Sequence, residues 1–123
     1  MESRATRLVI KVTCGTEALE RLNQGFTVAA TALASGLEVS LWLTGDATWM
    51  AVPGRAAEVD LPDAVPLAEL LDALLADGRV TVCGQCASRR GIGASDLVAG
   101  VLVRGSAAFV EEVVAPSSRA LVY

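Results

Sequence analysis

The sequence predicts an α/β domain: a mainly parallel five-stranded sheet covered by helices on both faces. Short β-branched runs alternate strictly with segments of helical period along all 123 residues. Such alternation means βαβ units with right-handed crossovers. Glycine, proline and aspartate stand where one period gives way to the next, as turns and helix ends require. The length suits one domain, residues 1–123, with a single core.

The elements follow in order. Arg7 to Thr13 (Arg-Leu-Val-Ile-Lys-Val-Thr) reads as the first strand and runs into Cys14-Gly15-Thr16. Leu19, Leu22, Phe26, Ala29, Ala30 and Leu33 recur at helical spacing. With Thr16 as the cap and Ser35-Gly36 as the stop, they predict a helix over Glu17 to Ala34. Leu37 to Leu43 is the second strand. Thr44-Gly45-Asp46 ends it, and a stretch holding Pro53, Pro62 and Pro66 follows, expected to be a loop with little regular structure. Leu67 to Ala76 is the second helix, closed by Asp77-Gly78, and Arg79 to Val82 is the third strand, which leads into Cys83. A short helical turn carries Cys86 to Arg90. The fourth strand lies within Leu97 to Val103, the last helix spans Ser106 to Val114, and Arg119 to Tyr123 is the fifth strand.

Composition narrows the function classes. The chain is 53% hydrophobic, rich for a domain of this surface-to-volume ratio, and the excess predicts buried subunit interface and a homo-oligomer. Net charge is −4, which argues against a nucleic-acid footprint. No apolar run approaches a membrane span, and Met1 to Arg7 lacks a signal-peptide pattern, so a cytoplasmic protein without membrane contact is expected. The chain has no histidine, which removes Cys-His and Ser-His catalytic pairs and the usual zinc ligand sets. Arg90-Gly91-Ile92-Gly93 lacks the third glycine of a dinucleotide loop, and no Gly-Lys-Ser/Thr occurs. No metal and no cofactor is expected.

The chemistry concentrates in Val80-Thr-Val-Cys83-Gly-Gln-Cys86-Ala-Ser-Arg89-Arg90-Gly91. In a parallel sheet all strand carboxyl ends share one edge, where ligands bind. Cys14, Asp46 and Cys83 each follow a strand and so belong to that edge. Cys83 has two readings: a nucleophile that accepts sulfur as a persulfide, or a small buried hydrophobe at a strand end. Arg89 and Arg90 favour a thiolate on the first reading and are a solvated pair on the second. Cys86 completes a Cys-x-x-Cys, which suits a dithiol-disulfide switch better than zinc, since four metal ligands are wanting. Cys14 is either packing or a third thiol at the edge. Trp42 is expected in the core, Trp49 walls a pocket or anchors an interface, and Asp46 is first a turn residue. Three functions therefore stand open: sulfur relay, a redox switch, and a non-catalytic module that holds a small ligand beside Trp49.

Beyond these residues, the chain resembles the DsrE/DsrF-like family of small sulfur-relay proteins, which includes the Tus sulfur carriers and YchN-type proteins. The likeness rests on Gly15-Thr16-Glu17, Ala34-Ser-Gly-Leu-Glu-Val39, Leu43-Thr-Gly-Asp46, Val82-Cys83 with Arg89-Arg90-Gly91-Ile92, and Asp96-Leu97-Val-Ala-Gly100-Val101 followed by Gly105. It implies a three-layer α/β/α sandwich assembled as a trimer or hexamer. It also implies a sulfurtransferase-like role, with protein donors and acceptors of sulfur. In the relay members a cysteine at the end of this strand, upstream of Arg-Arg-Gly, carries the persulfide, and Cys83 matches that position. Cys86 matches the second cysteine of the Cys-Gly-x-Cys found in other relatives. The sulfur carriers have small apolar residues where this chain has Gly84-Gln85-Cys86.

Overall fold

The computed structural model describes residues 4–123. The signal-peptide reading therefore falls in part, at Met1–Ser3, outside the described residues. Five strands, β1 (Arg7–Val12), β2 (Glu38–Leu43), β3 (Arg79–Cys83), β4 (Leu102–Arg104) and β5 (Ser118–Val122), form one sheet in the order β4-β3-β2-β1-β5. Every pairing is parallel. Between them lie α1 (Leu19–Ala34), α2 (Leu67–Asp77), α3 (Gly84–Arg89) and α4 (Ser106–Val114).

Strand order dictates the layers. From β1 to β4 the chain steps one way across the sheet, so right-handed crossovers put α1 and α2 on the same face. The return from β4 to β5 runs the other way and carries α4 to the opposite face, completing the α/β/α sandwich. Alternation along the strands sorts the side chains accordingly. Ile10, Val12, Val39, Leu41, Leu43, Val80 and Val82 meet Leu22, Phe26 and Ala29 of α1 and the leucines of α2 in the main core.

The second face is thinner and partly polar. Trp42 meets Phe109 of α4 edge-on, with ring centres 5.3 Å apart, and its indole N–H donates to Glu112 Oε1 at 3.0 Å. Arg104 Nη2 donates to Glu112 Oε2 and to Thr81 Oγ1, each at 2.7 Å. Val110, Val114 and Val122 remain 55%, 72% and 64% exposed on this unit.

Four expectations need correction. Thr16 does not cap α1: the Glu17 carboxylate accepts the Gly15 N–H, and a 3₁₀ turn over Thr16–Ala18 precedes the helix. The stretch after β2 is more regular than its prolines imply, with 3₁₀ segments at Gly45–Ala51 and Ala56–Glu58. Ala47 and Met50, three apart, both point into the core, which suits the three-residue repeat of that helix. The fourth strand is only Leu102–Arg104, because the Val98 N–H bonds the Ala51 carbonyl and Gly100 turns the chain at φ +94°. The turn expected over Cys86 to Arg90 starts earlier, at Gly84, directly after the third strand.

Candidate functional site

At the carboxyl edge the loops after β1 and β2 touch backbone to backbone. Gly45 sits at φ +52°, and a Cβ there would stand 2.5 Å from the Thr13 carbonyl oxygen. A Cβ on Gly15 would stand 2.6 Å from that of Asp46. Only glycine permits both approaches, and together they set the position of Asp46. The Asp46 Oδ1 accepts Arg90 Nε at 2.9 Å and Nη2 at 2.8 Å. Arg90 Nη1 donates to the Cys86 carbonyl at 3.0 Å. Arg90 thereby pins α3 to the loop that follows β2.

Cys83 is the last residue of β3 and immediately precedes α3, with an extended backbone (φ −70°, ψ 122°). Alternation with Val80 and Val82 turns it away from the main core, and in register it faces Arg104 of β4. Both Cys83 and Cys86 are free thiols and half-buried. Burial pushes the Cys83 thiol up. The Cys86 amide, the Cys86 thiol, the Gln85 amide and the Arg89 charge outweigh it and hold the thiol below its ordinary value. These neighbours favour a thiolate at this position.

Cys14 stands apart. It is 3% exposed within the main core, its Sγ donates to the Ala18 carbonyl at 3.9 Å, and β2 separates its strand from β3. Burial, with the Glu17 charge, raises its thiol despite Arg21. Trp49, half-buried under the Arg55 guanidinium at 4.6 Å, walls a groove of about 530 Å³ with Val52, Pro53, Arg90, Ile92 and Asp96. Arg90 is the wall shared by groove and thiol pair. The fold thus gathers Cys83, Cys86, Arg90 and Asp46, lays Trp49 alongside through Arg90, leaves Arg89 on the exposed side of α3, and excludes Cys14.

Gly15, Gly45 and Arg55 were not among the residues expected here. The two glycines had a legible signal, since each lies within three residues of a strand end. Arg55 had none. A second depression of about 200 Å³ lies at the amino ends of the strands. Its arginines already have partners, Arg7 with Glu38 at 2.7 Å and Arg79 with Glu112 at 3.5 Å.

Comparison with known proteins matches this architecture. No curated protein matches the chain. Among solved structures, the ychN protein from E. coli superposes with a TM-score of 0.76 at 19% identity, covering 97% of this chain and 99% of that one. A protein of unknown function from Methanobacterium thermoautotrophicum, MTH1491, superposes with a TM-score of 0.70 at 12% identity, covering 95% and 98%. At these identities the likeness is one of fold. No helix among the described residues is long and apolar enough to cross a membrane. The model of the DsrE/DsrF-like family matches residues 7–115, and the chain belongs to that family.

Proposed function

We propose that this protein is a sulfurtransferase-like carrier in the cytoplasm that takes up sulfur as a persulfide on Cys83 and hands it to an acceptor thiol. The observation that carries this reading is the thiol itself: half-buried at the carboxyl edge of the sheet, directly ahead of α3, and held below its ordinary value by the Cys86 and Gln85 amides, the Cys86 thiol and the Arg89 charge despite its burial. The Cys83 thiolate attacks the outer sulfur of a donor persulfide, and the donor cysteine leaves as its thiolate. An acceptor thiolate then attacks the sulfur now held on Cys83 and frees Cys83 again. No redox equivalent is consumed. Arg90, held by Asp46, keeps α3 and its donors in place. The family membership supports a protein donor and a protein acceptor, and the exposed valines of α4 and β5 support a homo-oligomer, a trimer or hexamer, measurable by sedimentation.

The test is intact mass spectrometry after incubation with a cysteine desulfurase and cysteine. Wild type is expected to gain sulfur that a reductant removes, and Cys83→Ser to gain none. Equal sulfur on Cys83→Ser would overturn the assignment. A second expectation concerns pH. Iodoacetamide should modify Cys83 fastest, with its half-maximal rate at a lower pH than that of an ordinary free thiol, and Cys14 slowest. Because only the thiolate reacts, the Cys83 rate falls about tenfold per pH unit below its own midpoint.

A second reading, a small-ligand module, is favoured by the groove beside Trp49. It predicts inert thiols and a binding defect in Trp49→Ala.

A further inference from the structure

The persulfide carrier just proposed would need only one thiol at the strand end, yet this chain has a second one in the first turn of the helix that Cys83 caps. Cys83 caps α3 and Cys86 is its third residue. A side chain at the third position of a helix reaches back to the residue that caps it, the relation used in capping boxes. Residues three apart on a helix stand about 5–6 Å apart at Cβ, and a disulfide needs about 3.5–4.5 Å, so a small adjustment of one turn joins them. Arg90 restrains that turn through the Cys86 carbonyl and Asp46. Both thiols are half-buried and unbridged, and Cys14 lies elsewhere in the core.

We infer that Cys86 is a resolving thiol, which attacks the inner sulfur of the Cys83 persulfide and releases the carried sulfur as hydrosulfide. The inference rests on the persulfide reading of Cys83. The Cys86 thiol loses its proton, and its electron pair forms the Cys83–Cys86 bond. The bond between Cys83 Sγ and the outer sulfur breaks, and that sulfur leaves with both electrons and takes up the proton as hydrogen sulfide or its anion. The outer sulfur is reduced by two electrons and the two cysteines are oxidised to a disulfide, so the step balances. An external thiol reductant then returns the pair to its starting state. The competing path is attack on the outer sulfur by an acceptor, which carries it off as a persulfide and leaves no disulfide. The pair therefore sets a branch: transfer when an acceptor is docked, release of sulfide when none is.

The experiment loads wild type, Cys86→Ser and Cys86→Ala with inorganic polysulfide, removes the excess without reductant, and follows intact mass and free sulfide over time. Wild type should lose the mass of one sulfur atom, end two hydrogens lighter than the reduced chain, and release sulfide in step. Both Cys86 variants should hold the added sulfur at least tenfold longer and form no internal disulfide. Wild type that keeps its sulfur as long as the variants, or releases sulfide without losing two hydrogens, overturns the resolving role while leaving the carrier intact. If even the Cys86 variants gain no sulfur, the carrier reading falls and the resolving role falls with it.

Discussion

Trp42→Ala is expected to lower the stability of the folded chain by about 3–5 kcal/mol, measured as a drop in the urea midpoint at unchanged slope. Trp42 is 2% exposed. It meets Phe109 edge-on, carries the Arg104 guanidinium over its ring at 4.9 Å and donates its indole N–H to Glu112. Removing it leaves a cavity between β2 and α4 and takes a donor from a buried carboxylate. Domains of this kind are stable by roughly 5–15 kcal/mol in all, so the variant sits near the folding threshold. Trp42→Phe separates the two contributions. It keeps most of the apolar contact and loses the indole hydrogen bond, a loss of about 1–3 kcal/mol for a charged acceptor. A cost below about 1 kcal/mol for Trp42→Ala would mean that α4 does not pack on β2.

Trp42 also marks the limit of what the chain order reveals. Its place in the core was legible from the apolar run Leu41-Trp42-Leu43, and α4 from Gly105 and the helical period after it. The partnership between them was not, because Glu112 lies 70 residues from Trp42 in sequence. The buried residue of that helix is the charged Glu112, while Val110 and Val114 face outward. The polar side chains of the sheet, Trp42, Thr81 and Arg104, decide which face of α4 turns inward, and they are spread over three strands. The thiol pair was legible for the opposite reason: Cys83 and Cys86 are three residues apart and meet within one helical turn. Asp46 and Arg90, 44 residues apart, meet only once β2 and β3 lie side by side. The exclusion of Cys14 likewise depends on strand order, since β2 intervenes.

Glu112→Ala is expected to cost about 2–3 kcal/mol and to loosen β4, the three-residue edge strand beside the thiols. Glu112 is 7% exposed. Burial alone would raise its carboxyl, but the Ser40 hydroxyl, the Trp42 indole and Arg104 bring it below its ordinary value. A carboxyl whose folded value is depressed contributes stability above its unfolded value of about 4.3, and that contribution disappears as pH falls through the folded value. Wild type should therefore lose stability on acidification below about pH 4.3 more steeply than Glu112→Gln, and the gap between the two should close there. Stability curves that stay parallel from pH 7 to pH 3 would contradict an ionised Glu112 in the folded state. The consequence reaches the site because Arg104 links Glu112 to Thr81 and faces Cys83 in register. A Cβ at Gly84 would already touch Val103 at 3.4 Å, so the start of α3 rests on the same strand. With the carboxylate gone, Arg104 loses its anion, and amide exchange at Leu102–Arg104 should quicken before the rest of the sheet is affected.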